Sequence, residues 1–126
     1  MQKEIKNFYD LESWQKGHEF LLSIYRLAKD FPKEELYGLT SQIKRAAISV
    51  TNNIAEGFSR YHYREKSNFY YNARGSVSEV QNLLIVARDV GYLKKEDWHK
   101  LDLSGESVKR MINGLIRSVD KQLDKN

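Results

Sequence analysis

The sequence predicts an all-α fold, an antiparallel up-down-up-down four-helix bundle, on three observations. Its 126 residues include one Pro and 7 Gly, too little turn chemistry for a β-sandwich of this length. Apolar residues recur at spacings of three and four in four separate stretches, which is the helical period. Only a few residues separate successive stretches, and joints that short make neighbouring helices antiparallel. The length suits one domain, residues 1–126, and no repeat, low-complexity tract or linker marks a second.

The first helix is expected over about residues 11–29, with Trp14, His18, Leu21, Tyr25 and Ala28 on its inner face and Asp10 as N-cap. Phe31-Pro32 ends it, because the residue before a proline is driven out of the α region. The second is expected over about 39–57, with Ile43, Ala46, Ala47, Val50 and Ile54 facing inward and Gly57 as a left-handed stop. The third and longest, about 63–90, carries the seam Phe69, Ala73, Ser76, Val80, Leu84 and Ala87 and closes at Gly91. The fourth, about 96–123, turns Leu101, Val108, Met111, Ile112, Leu115 and Val119 inward. Leu103-Ser104-Gly105 is where that last helix could kink or split.

The second helix has a second face. Ile48, Asn52 and Ala55 share the side opposite its seam, with Ser41 and Ser49 nearby. A lone bundle would place long charged residues there. Small and apolar groups on two faces are the pattern of a helix packed against another subunit, so self-association is expected.

Composition narrows the function classes. The charged share is 30% against 40% hydrophobic, a globular balance rather than a disordered one. No apolar run is long enough to span a bilayer, and because the first residues alternate charge no secretory leader is expected. With Cys 0 the chain can form neither disulfides nor thiolate metal sites, which suits a reducing cytoplasm. The net charge is +4. Residues 38–79 supply most of it, with six Lys and Arg against three Asp and Glu.

Catalytic and metal motifs are missing, so a non-enzymatic protein without cofactor or metal is expected. There is no G-x-S-x-G, no phosphate-cradling glycine loop and no H-E-x-x-H. Glu96-Asp97-Trp98-His99 is a single E-x-x-H, whereas a di-iron bundle needs two. Glu56 and Glu79 lie near helix seams. They are expected to accept hydrogen bonds from Arg45 and Arg74, within a subunit or across an assembly, rather than to act as an acid–base pair.

Nucleic acid is the stronger partner. Between Phe58 and Tyr71 aromatics interleave with cations: Arg60, Tyr61, Tyr63, Arg64, Lys66, Tyr70. Cations neutralise phosphates and exposed tyrosines stack on unpaired bases. Arg64, Asn68, Tyr71, Ser78 and Asn82 form one stripe away from the helix-three seam, with Arg74 at its edge, and Lys44 and Arg45 project from helix two. The competing reading buries the tyrosines between helices and pairs the cations locally. The candidate nucleic-acid residues are thus Lys44, Arg45, Arg60, Arg64, Tyr71 and Arg74. The candidate oligomer and structural residues are Ile48, Asn52, Asn53, Ala55, Glu56 and Glu79.

Several blocks carry a family resemblance. Leu11-Glu12-Ser13-Trp14-Gln15-Lys16, the stretch from Phe31-Pro32-Lys33 to Tyr37-Gly38-Leu39-Thr40, and Lys44-Arg45-Ala46-Ala47-Ile48 followed by Asn53-Ile54-Ala55-Glu56-Gly57 are all similar to the bacterial 23S rRNA intervening-sequence proteins. So are Ala73-Arg74-Gly75-Ser76 with Glu79, and Gly91-Tyr92-Leu93. The resemblance implies a four-helix bundle that assembles into a homopentamer, encoded in some members within ribosomal RNA gene insertions. Related bundles contact a reverse transcriptase and nucleic acid. The reading from sequence is therefore a non-enzymatic homo-oligomer binding RNA or DNA through a basic, tyrosine-containing surface. The alternative is a scaffold that contacts a partner such as a reverse transcriptase without touching nucleic acid.

Overall fold

A computed structural model describes residues 4–125. Among these it contains four α-helices and no strand: α1 (Glu12–Ala28), α2 (Leu39–Ser59), α3 (Tyr63–Asp89) and α4 (Lys95–Leu123). Single 3-10 turns precede α1 (Phe8–Asp10) and fill the α1–α2 joint (Lys33–Glu35). Each helix packs on its two neighbours around the ring α1–α2–α3–α4, while diagonally opposed helices keep their backbones apart. The expected antiparallel bundle is therefore the fold, with every helix end within two residues of its expected place.

The core is one cluster whose fully buried members include Ile24, Ile43, Val50, Ile54, Val77, Leu84, Val108 and Ile112. Each such aliphatic side chain stabilises the fold by roughly 1.5–3 kcal/mol. The α2 seam is buried as expected from Ile43 to Ile54, and so are Ala73, Ser76, Val80, Leu84 and Ala87 of α3, whereas Phe69, expected in that seam, is half-buried and its neighbour Tyr70 takes the core position. In α4, Ile116 joins Val108, Ile112 and Val119 inside, while Leu101, Met111 and Leu115 are half-buried.

Helix α1 departs from expectation. Ser13, Gly17, Phe20, Ile24 and Ala28 face the core, and Trp14, His18, Leu21 and Tyr25 stand half-buried at its rim. The cause is the closeness of α1 to α2. A Cβ on Gly17 would lie 3.4 Å from Thr51 Cγ2 and 3.5 Å from Val50 Cγ1, so only small groups fit between the two backbones and the rings are displaced outward.

Three terminal expectations are also revised. Asp10 is not the α1 N-cap, which is Leu11. Its carboxylate instead accepts the amides of Lys6 (3.1 Å) and Asn7 (3.0 Å) in the preceding turn. Gly57 does not stop α2, which continues to Ser59. Its lack of a side chain serves packing, since a Cβ there would lie 2.6 Å from Tyr70 Cε1. Helix α4 runs unbroken through Leu103-Ser104-Gly105, where buried Gly105 lets Gln81 of α3 lie against it. The α3 terminus is as read: Gly91 takes φ 91° and the Tyr92 amide donates to Ala87 O at 2.8 Å, a left-handed glycine cap.

Polar contacts set the helix registers. Buried Gln81 donates from Nε2 to Asp102 Oδ1 (3.2 Å) and Glu106 Oε1 (2.9 Å), joining α3 to α4. Ser49 and Ser76 hydroxyls meet at 2.8 Å between α2 and α3. At the opposite end of the bundle from the α2–α3 joint, Glu35 accepts the Leu39 amide with Oε1 (3.2 Å) and the Tyr92 hydroxyl with Oε2 (2.9 Å). One carboxylate thereby caps α2 and holds the α3–α4 joint against it.

Candidate nucleic-acid interface

The six cationic and tyrosine candidates fall in three places: the α3 flank, α2, and the α2–α3 corner that holds Arg60. Arg64, Tyr71 and Arg74 lie on the α3 flank that turns toward α4, because Arg74 Nη1 donates to Asn113 Oδ1 at 3.0 Å. The Arg74 guanidinium also lies 4.7 Å from the Tyr71 ring centroid, a cation–π contact on an exposed surface. Tyr71 is 43% exposed, so one side of its ring faces water. Arg64 is exposed and has no hydrogen-bond or ion-pair partner among the described residues.

Lys44 and Arg45 are elsewhere. The Lys44 ammonium sits 5.0 Å from the Tyr25 ring of α1, on the other flank of α2. Arg60, just past the end of α2, is fifteen positions along the chain from Arg45, about 22 Å at 1.5 Å per residue. A single surface holding all six residues is not what this fold builds.

The α2–α3 corner is tightly tied. Lys66 Nζ donates to Gly57 O (3.2 Å) and Phe58 O (2.7 Å), satisfying the last carbonyls of α2. Burial there pulls its ammonium pKa below the ordinary lysine value. Arg60 pairs with Glu56 (Nη2–Oε2 3.1 Å), reaches Glu65 at 4.0 Å and lies 4.8 Å from the Phe69 ring centroid. Arg60 and Lys66 are thus largely occupied at home, as the competing sequence reading required, whereas Arg64 is not.

The expected pairing of Arg45 and Arg74 with Glu56 and Glu79 is not made within the chain. Glu56 takes Arg60, one turn along its own helix, because an i,i+4 partner is nearer than one on another element. Arg74 points to α4. Arg45 and Glu79 are exposed and join no ion pair among the described residues. Asn53, half-buried, donates to Ser49 O (2.8 Å) and Oγ (3.0 Å) and needs no charged partner.

Sequence reading missed the α4 side of this surface. Arg110, Arg117 and Lys121 are exposed on the same helical stripe as Asn113, so the Arg74–Asn113 bond brings a second line of cations beside the first. The signal was available in the spacing 110, 113, 117, 121, which keeps one face of a helix. Tyr70, by contrast, is 4% exposed, and burial pushes its phenol up to about 12. No group of three or more His, Cys, Asp or Glu able to hold a metal ion occurs among the described residues, and none of their helices is long and apolar enough to cross a membrane.

The oligomer candidates on α2 remain uncovered. Ile48 is 37% exposed, Asn52 is exposed and Ala55 half-buried. Asn52 and Ala55 line a recess of about 480 Å³ together with Phe8, Glu56 and Ser59. The rim rings of α1 continue this face, since Gly17 packs on Thr51 and Tyr25 meets Lys44.

Four amphipathic antiparallel helices around one aliphatic core, with an α2 that is small and apolar on two faces, define a class of small helical-bundle proteins. Within that class, residues 9–114 match the family described as 23S rRNA-intervening sequence protein, and the chain belongs to that family. A solved structure from Bacteroides thetaiotaomicron, a protein of unknown function from the S23 ribosomal protein family, superposes with a TM-score of 0.77. It is 20% identical, and the alignment covers 83% of this chain and 95% of that one; at that identity the likeness is one of fold. No curated protein matches the chain.

Proposed function

We propose that this protein is a non-enzymatic, cytoplasmic homo-oligomer that binds RNA or another nucleic acid through the α3–α4 face. The observation that carries the reading is the Arg74–Asn113 hydrogen bond. It sets Arg64, Tyr71 and Arg74 beside Arg110, Arg117 and Lys121, two cationic lines on one side of the bundle, the α3 line carrying a half-exposed ring between Arg64 and Arg74. Lys44 and Arg45 stand outside this surface. Cations so arranged neutralise successive phosphates, and their affinity falls with salt as counterions are recaptured.

Self-association is supported by the α1–α2 face, where Trp14, His18, Leu21, Tyr25, Ile48 and Ala55 present aromatic and small apolar groups half-open to water. This face and the cationic one lie on different sides, so assembly leaves the latter free. A homopentamer is the family resemblance's expectation for its size. A second reading, a scaffold for a protein partner such as a reverse transcriptase, is favoured by the same α1–α2 face. In that case a different chain covers it and the cations play no part.

Titrating a fluorescent structured RNA and a single-stranded oligonucleotide at increasing salt tests the proposal. Binding at low salt whose logarithm falls with a slope of about −3, the value for three to four phosphate contacts, supports it. Undetectable binding of both probes at low salt overturns it and leaves the scaffold.

A further inference from the structure

Two tyrosines stand out from this bundle almost without cover, Tyr37 at 94% exposure and Tyr61 at 89%. Each sits in a joint between helices, at opposite ends of the molecule. Their surroundings are opposite in charge. Tyr37 follows Glu34 and Glu35, whereas Tyr61 stands between Arg60 and Arg64. A ring this exposed is open on its faces, and ring plus flanking cation is the combination that holds an unpaired nucleotide: the face stacks on the base and the charge meets its phosphate.

We propose that Tyr61 is a stacking platform for an unpaired base, which makes the α2–α3 corner a single-strand site at the end of the cationic face. This deepens the preceding reading and rests on it. The corner is preorganised for the task. Lys66 holds the Gly57 and Phe58 carbonyls in the last turn of α2, and Arg60 is held by Glu56 and the Phe69 ring, so the three-residue joint 60–62 carries its ring on a backbone anchored from both sides. The ring's aromatic neighbour is His62, 5.1 Å away and perpendicular at 89°, so no side chain lies stacked on Tyr61 in the place a base would take. The uncommitted cation is Arg64 on the first turn of α3, and from there the stripe leads through Tyr71 to Arg74. A strand stacked at Tyr61 enters the α3–α4 face directly. A stiff ring presented at low entropic cost favours a flexible strand over a duplex, whose bases are already stacked.

The test compares fluorescent oligouridine with a blunt duplex RNA, using the full-length protein. Y61A is expected to weaken oligouridine binding about tenfold while leaving the duplex unchanged, and Y61F to restore it, because the ring rather than the hydroxyl stacks. Y37A, equally exposed but acid-flanked, is expected to bind as wild type does. Upfield shifts of the Tyr61 ring protons on adding oligouridine support the same conclusion. Oligouridine binding by Y61A equal to wild type, or a loss of equal size in Y37A, overturns the stacking site while the α3–α4 reading stands. Failure of wild type to bind either RNA overturns both.

Discussion

Arg74 of α3 donates to Asn113 of α4 over 3.0 Å while its guanidinium lies 4.7 Å from the Tyr71 ring centroid. One side chain thereby joins two helices and steadies the ring that stands on the α3 line of cations. Arg74 is only half-buried, so water partly replaces a lost partner. Asn113→Ala is therefore expected to cost about 0.5–1.5 kcal/mol, seen as a lower urea midpoint at unchanged slope. Asn113→Asp keeps an acceptor and adds charge, and should retain the wild-type midpoint. Equal losses in both variants would show that the bond does not tie the helices.

Two helical glycines should respond oppositely to alanine. At Gly57 a Cβ meets Tyr70 Cε1 at 2.6 Å and Phe69 Cβ at 3.1 Å. Tyr70 is buried and Phe69 Cβ is fixed to its backbone, so neither gives way. Overpacking of about 1–3 kcal/mol then outweighs the roughly 1 kcal/mol that alanine gains in a helix, and the melting temperature falls. At Gly75 nothing lies within 4 Å, and Gly75→Ala is expected to stabilise by about 0.5–1 kcal/mol. Calorimetry of the two variants reads both signs.

These contacts also mark where sequence reading succeeded and where it stopped. Helix positions and the α2 and α3 seams were legible because Ile43 to Ile54 and Ala73 to Ala87 repeat at the helical period with the larger apolar groups on one face. The α1 face was misread because Trp14, His18 and Tyr25 share that period equally well. Choosing between that stripe and Ser13, Gly17, Phe20 and Ile24 requires knowing that α2 comes within reach of Gly17, a fact about a second helix. Partners across helices were hidden for the same reason. Glu56 and Arg60 are four apart and readable, yet Arg74 with Asn113 and Gln81 with Asp102 and Glu106 join residues whose separation in sequence carries no period. The stripe of Arg110, Arg117 and Lys121 was readable from its spacing, but that it borders the α3 cations follows only once α4 is placed beside α3.

Alkaline pH should destabilise the bundle through two phenols. Burial pushes Tyr70 up to about 12. Tyr92 is raised first by its hydrogen bond to Glu35, then by burial and the negative charges of Glu35 and Glu34. Both groups hold their protons more tightly folded than unfolded, so their contribution is complete below the ordinary tyrosine value of about 10 and lost as pH rises through the folded value. Stability measured by urea is expected to decline from about pH 10 upward. Tyr92→Phe should flatten that decline while weakening the joint at neutral pH, because Glu35 loses its donor. A pH profile of Tyr92→Phe parallel to wild type would remove the Glu35 linkage.

The division of the cations makes the sharpest test of the interface. Arg64 and Arg117 lie on the α3–α4 face, exposed, whereas Arg45 is exposed near the start of α2, a helix that does not pack on α4. Each phosphate contact removed should weaken binding at low salt and reduce the salt slope by about one unit, uniformly across sequences. Arg64→Ala and Arg117→Ala are expected to do this, and their combination to lower the slope by about two. Arg45→Ala has the same charge change and no place on that face, so its slope should equal wild type. None of the three side chains is buried, so urea midpoints should stay alike and folding cannot imitate the effect. A slope lowered by Arg45→Ala and untouched by Arg117→Ala would move the nucleic acid to α2 and dismantle the two-helix surface argued from Arg74 and Asn113.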